Sequence, residues 1–295
     1  MPTQLRIFLS KQWRNTVYSN VWIALCAAAF CFQGEILIGQ SSEGLLPLFV
    51  FFATVFLYNF QRVVKLFQKP SYSIPGRNTW LVKNRLAIMI WSIVGGIVMI
   101  VIALNLPLRD WIVLSIGGFF SILYVMSIGK RDGKSVAVRE LPFIKIFLIA
   151  ISWVIMGAIF PQVHHEGWRA LESNQLIWMS LEKFFFIWAI TIPFDIRDLE
   201  YDDKRMKTIP QLFGVNGSLW LSRILIVAAA GSVVFAGFSG FYSPQSVGAL
   251  LACYVFIGGT FEYARVKRDE LYYTGWLDGT ILLQSTAVWA VTYWL

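Results

Sequence analysis

"FFFIWAITIPFDIRDLEYDDKRMKTIPQLFG", residues 184–214, begins as an apolar run and turns acidic at Asp195. Asp195, Asp198, Glu200, Asp202 and Asp203 fall within nine positions, in a chain with only 17 Asp and Glu among 295 residues. Lys204, Arg205 and Lys207 come next. The apolar block that this stretch closes, near 176–194, is long enough to cross a bilayer, and the charge sits at its mouth. How many such segments the chain has decides the fold; what the mouth holds decides the chemistry.

Outward from this stretch, the chain is 57% hydrophobic and 14% charged, outside the range of soluble domains. Apolar blocks of about 18–21 residues recur, each long enough for a membrane helix. They read as nine, near 20–38, 44–61, 86–105, 111–128, 143–161, 176–194, 217–237, 247–264 and 276–294. Backbone amides cannot go unpaired in hydrocarbon, and the alternating pattern of a barrel is absent. The expected fold is all-α: a polytopic membrane protein with a nine-transmembrane-helix bundle around a cavity open near the cytoplasmic face. Residues 1–19 are expected to be an amphipathic segment on the cytoplasmic surface, and 20–295 a single membrane domain.

Orientation follows from the basic residues. With the N-terminus in the cytoplasm and nine spans, every Lys and Arg except Arg109, Arg169 and Lys183 falls on the cytoplasmic side. The C-terminus is then outside, and the expected setting is a bacterial inner membrane. The net charge of +8 is thus a topology signal with some attraction to anionic lipid, and it does not imply nucleic acid as a partner. Cys26, Cys31 and Cys253 lie inside apolar blocks and suggest neither disulfide nor metal site.

A helix turns 100° per residue, so i, i+3 and i+7 lie within roughly 60° of one another. Asp195, Asp198 and Asp202 have this spacing. Three carboxylates on one face need a counter-cation, and oxygen-only ligands suit Mg²⁺ or Ca²⁺. Mg²⁺ usually takes one or two carboxylates plus substrate phosphates, so the cluster has the chemistry of half a metal–phosphate site. Against this stands the reading that a wet loop is simply acidic. Arg62, Lys65, Lys130, Arg131 and Lys145 lie near the same ends of other helices, where topology alone would also place them. Tyr124 is either an interfacial aromatic or a phenolic donor into a cavity. Asp278 caps a helix or faces that cavity. His164 and His165 are expected to be solvated on the outer side. Glu182 and Lys183 are expected to snorkel or pair.

The stretch "DIRDLEYDDKRMKTIPQLFG" resembles the second aspartate-rich motif, DxxDxxxD, of the UbiA superfamily of intramembrane prenyltransferases, through Asp195, Asp198, Asp202, Lys204, Thr208, Pro210 and Gly214. "LYVMSIGK" and "ELPFIKIFLIAISW" resemble the family's stretch from helix 4 into helix 5, with Tyr124 and Lys145. The resemblance implies that Asp195, Asp198 and Asp202 bind Mg²⁺ and are the catalytic carboxylates. Asn59, Arg62, Tyr124, Lys145 and Lys204 would then bind the diphosphate of an isoprenyl donor, and an aromatic or lipid-like hydrophobic acceptor would take the isoprenyl group. The first motif departs from the family pattern: after Asn59, Phe60, Val63 and Phe67 stand where aspartates are expected. Arg62 shares the face of Asn59, and its fork is the expected substitute for one metal's charge. The competing readings are a family member that binds isoprenoid or lipid without turnover, and a transporter, which would need polar groups through the membrane depth.

Overall fold

The computed structural model describes residues 2–68, 77–131, 134–138, 143–200, 206–266 and 269–294. With no water to bond to, backbone groups in apolar surroundings pair within their own segment, and the apolar blocks do so as helices. The elements are α1 (Pro2–Tyr18), α2 (Val21–Leu37), α3 (Leu45–Gln68), α4 (Arg77–Lys83), α5 (Arg85–Ala103) and α6 (Leu108–Val125). A hairpin, β1 (Ser127–Arg131) and β2 (Lys134–Ala137), leads to α7 (Ile144–Val154) and α8 (Phe160–Glu166). The rest are α9 (Asn174–Asp198), α10 (Ile209–Phe238), α11 (Pro244–Thr260) and α12 (Asp278–Trp294).

The nine apolar blocks of the sequence fall mainly on helix, with the end of 111–128 running into β1. Among the described residues, six helical stretches are long and apolar enough to cross a membrane: Leu45–Arg62, Arg85–Ala103, Ile144–Glu172, Asn174–Asp198, Ile209–Phe238 and Pro244–Arg265. A seventh is the pair Leu9–Tyr18 and Val21–Leu37, bent by 68° at Asn20. Asn20 takes the left-handed conformation at φ 65°, which Asn tolerates and a helix does not. The helix α6 and the 17-residue α12 are not in that set.

The hairpin is a small exception to the all-helical expectation, pairing Lys130 with Ser135 and Arg131 with Lys134. The block at 143–161 is also not one regular helix. Between α7 and α8 the backbone widens into a π-helical turn, Ile155–Ile159. That turn carries Gly157, where α2 comes close: a Cβ on Gly34 would collide with the Gly157 carbonyl, and one on Gly157 would lie 2.6 Å from the Phe30 ring. Small residues let two backbones approach in this way. Helix α10 starts at Ile209, ahead of its apolar block, where Gln211 accepts the Thr208 N–H at 3.1 Å. It is interrupted at Gly214, whose φ of 67° suits glycine.

Packing runs in succession from α5 to α3, α2, α12, α11, α10, α9, α7 and α6, while α2 also touches the π turn and α8. This order sets α7 against α9 and α2 against both α3 and α12, and so places the ends of these helices around one region.

Candidate functional site

The site is built on the last turn of α9. Ser173 caps the start of that helix by accepting the Gln175 N–H. Near its end Pro193 removes one backbone hydrogen bond, just before the acidic residues. Asp195 is buried, and Asp198 is the helix's final residue. From across the interface with α7, Lys145 donates from Nζ to Asp195 Oδ1 at 2.7 Å and stands 3.7 Å from Asp198 Oδ2. One turn separates the two carboxylates, and a single ammonium bridges them. Asp202 and Lys204 lie outside the described residues.

A second cation completes this end of α9. Arg197 Nε donates to Asp198 Oδ1 at 2.7 Å and its NH2 to Oδ2 at 3.2 Å, a forked grip on the neighbouring side chain. Its NH1 reaches Glu270 Oε2 at 2.9 Å. The guanidinium lies 5.2 Å from the ring of Phe194 and 5.3 Å from that of Tyr273. Glu270 is buried in the segment leading to α12. Sequence reasoning missed the roles of Arg197 and Glu270. The signal for Arg197 was its place between the two aspartates; Glu270 had none, because its partner is 73 positions away.

The remnants of the first motif go elsewhere. Asn59 is buried on α3, and its Oδ1 accepts from Asn20 Nδ2 at 2.6 Å. Asn59 Nδ2 is buried without a partner among the described residues. Arg62 NH1 donates to the Tyr18 carbonyl at 3.1 Å, at the C-terminal end of α1 where the helix dipole attracts a cation. One arm of the Arg62 fork thus anchors the α1–α2 junction.

Between these two ends lies a polar group that the sequence only partly suggested. Tyr124, on α6, is within electrostatic reach of Lys145 and of Tyr58. Tyr58, on α3, lies near the Trp153 side chain and within electrostatic reach of Asp278. Three helices, α6, α7 and α12, thus send side chains toward Tyr58, which nonetheless stays 36% exposed. Asp278 opens α12, directly after a π-helical segment, Tyr272–Leu277, so its carboxylate stands in the first turn of that helix.

At the opposite end, the expectation of solvated histidines is overturned. His164 Nδ1 lies 2.5 Å from Asp110 Oδ2 and His165 Nε2 lies 3.0 Å from Glu35 Oε1, both carboxylates fully buried. Snorkelling is likewise excluded for Glu182 and Lys183, which are fully buried and 3.8 Å apart. Tyr254 donates to Glu182, and Lys183 donates to Gln33 Oε1 at 2.6 Å. A carboxylate or ammonium this deep persists only with such partners. Polar groups therefore occur in both halves of the bundle, not at one surface alone.

No protein-family model and no curated protein matches the chain. Solved structures do. The fold is that of UbiA-type intramembrane proteins. A UbiA homologue from Archaeoglobus fulgidus bound to GPP and Mg²⁺ superposes with a TM-score of 0.62 at 12% identity, covering 95% of this chain and 99% of that one. The same homologue bound to DMAPP and Mg²⁺ gives 0.59 at 13%, covering 96% and 99%. A digeranylgeranylglyceryl phosphate synthase gives 0.57 at 17%, covering 96% and 100%. At these identities the likeness is one of fold.

Proposed function

We propose that the chain is an intramembrane prenyltransferase that moves an isoprenyl group from its diphosphate to an aromatic or lipid-like acceptor. The observation that carries this is the constellation of Asp195, Asp198 and Lys145 at one end of an apolar bundle whose fold is shared with a protein bound to GPP and Mg²⁺. In this reading nine spans enclose a cavity, the acidic end faces the cytoplasm, and the tail of the donor runs among the apolar helices.

The described donor set suits one divalent cation. Two carboxylates plus diphosphate oxygens meet the usual demand of Mg²⁺, and Asp195 and Asp198 are the residues that would hold it. When bound, the ion would offset the charge developing on the departing diphosphate. A second ion has no carboxylates to hold it at Asn59, Phe60, Val63 and Phe67. Among the described residues no cluster of three metal-ligating side chains exists. The chain's own part is electrostatic. Lys145 presents its ammonium beside both carboxylates, where it can pass to diphosphate oxygens. Tyr124 would support it from α6, and Asn59 and Arg62, with Asp202 and Lys204 of the same sequence motif, would extend the anion site. The apolar walls keep water from the allylic carbon.

A second reading, binding of isoprenoid or lipid without turnover, is favoured by the commitment of Asn59 to Asn20 and of Arg62 to Tyr18. One assay decides between them: pyrophosphate release by the purified protein from isoprenyl diphosphates of graded length, with and without Mg²⁺. The transferase reading expects Mg²⁺-dependent release that Asp195→Asn reduces by about a hundredfold or more, comparable to loss of a key electrostatic group. Binding of the diphosphates with no release would overturn it and support the second.

A further inference from the structure

Asp198 is the metal-ligand candidate least ready to accept a metal, because both of its oxygens already receive N–H donors from Arg197. The same guanidinium holds Glu270 at 2.9 Å through its remaining arm. One planar cation is therefore shared between two carboxylates on different elements, the end of α9 and the segment before α12. The guanidinium lies over the adjoining rings of Phe194 and Tyr273, and its side chain is 17% exposed. A guanidinium offers five N–H donors in a rigid plane, so it can keep its grip on one carboxylate while releasing the other.

We infer that Arg197 is a built-in competitor for Asp198, which yields the carboxylate to a divalent cation by moving its donors onto Glu270. This rests on the proposed diphosphate–metal site and adds what regulates its occupancy. Arg197 and Glu270 are positioning residues: neither needs to touch the substrate. The competition has a physical purpose. Two carboxylates one turn apart repel each other, and in the resting state Lys145 and Arg197 supply the compensation. Lys145 reaches both carboxylates, so Asp195 alone would lose little by Arg197's departure. A cation arriving with a diphosphate replaces the positive charge that Arg197 takes away, and the charge near Asp198 stays balanced. Glu270 makes the exchange possible, because a guanidinium displaced with nowhere to go would lose its hydrogen bonds in a part-buried place.

The two partners then act on metal affinity in opposite directions, which a scaffold role would not produce. The test is Mn²⁺ binding to the full-length protein in detergent with inorganic pyrophosphate, read as free Mn²⁺ by electron paramagnetic resonance. Arg197→Gln is expected to tighten Mn²⁺ binding by about tenfold, the worth of one charge-assisted contact. Glu270→Gln is expected to weaken it by about the same factor, since Arg197 then stays on Asp198. Arg197→Lys, with its charge but not its fork, is expected to fall between wild type and Arg197→Gln, and carries the test if the Gln variant does not fold. Weakening in both Arg197 variants, or no change with Glu270→Gln, would overturn the inference. If the wild-type protein binds no Mn²⁺ with pyrophosphate, the proposed metal site itself has failed, and that result is distinct from either.

Discussion

Lys145 is the residue on which the acidic end of α9 balances. Its side chain is 18% exposed, and its ammonium is 2.7 Å from the carboxylate of Asp195, a side chain only 3% exposed. Partly buried ion pairs of this kind resist the loss of one partner much more than they add over an apolar pair. Lys145→Met leaves Asp195 without its hydrogen-bond donor beside Asp198, and the expected loss of stability is about 2 kcal/mol. Heat denaturation in detergent, followed by loss of monodisperse protein, measures it. The sharper expectation concerns Mg²⁺: added at millimolar concentration, it should raise the melting temperature of Lys145→Met more than that of wild type, because the variant has a carboxylate in need of a cation. Equal shifts would show that Asp195 is not a place where a divalent ion gathers. The spacing of Asp195 and Asp198 was legible in the sequence, since helical phasing depends on nothing but position. The partners were not. Lys145 comes from 50 positions away and Arg62 meets Tyr18 from 44 away, and only packing makes such pairs. His164 and His165 read as wet because they stand in a polar stretch, yet the carboxylates that hold them come from α2 and α6.

At the scale of elements, the approach of α2 to the π turn is the tightest crossing in the described structure that involves two glycines. A methyl on Gly157 would meet Phe30 at 2.6 and 2.9 Å and the Lys183 stem at 3.3 Å. Phe30 is itself buried beneath Lys183, whose ammonium lies 3.9 Å from its ring centre. The ring cannot retreat without disturbing the Lys183–Gln33 hydrogen bond. Gly157→Ala is therefore expected to destabilise by about 1–3 kcal/mol, the usual range for overpacking. Gly118→Ala, where an added Cβ meets nothing within 4 Å, should be neutral or slightly stabilising. Thermal unfolding of the two variants beside wild type checks both expectations, and similar behaviour would mean that the crossing can relax. The helices themselves were legible because an apolar run in a membrane has one backbone solution. The π turn was not, since Ile155–Ile159 is as apolar as its flanks and only the side chains facing it demand the extra width. The hairpin between α6 and α7 was equally hidden, because Ser127–Ala137 has no run of alternating apolar residues.

For the whole molecule, the disposition of the ends is the property on which the proposed site depends. If the acidic end of α9 faces the cytoplasm, the connections at its opposite end must face outward, among them the loop between α2 and α3 and the one between α10 and α11. Ser41 and Ser239 are exposed in those loops, while Lys83, beside the start of α5, is exposed at the other end. The three native cysteines are all buried, so a new surface thiol can be read against a low background. A membrane-impermeant maleimide added to intact cells is expected to label Ser41→Cys and Ser239→Cys at once, and Lys83→Cys only after the membrane is broken. The reverse pattern would put Asp195 and Lys145 on the outer face, where isoprenyl diphosphates made in the cytoplasm do not reach them. Labelling of Ser41→Cys and Lys83→Cys from the same side would show that α3 and the helices after it do not alternate across the bilayer. Either result would end the transferase reading without any measurement of catalysis, because a diphosphate carries too much charge to cross hydrocarbon to a site on the wrong side.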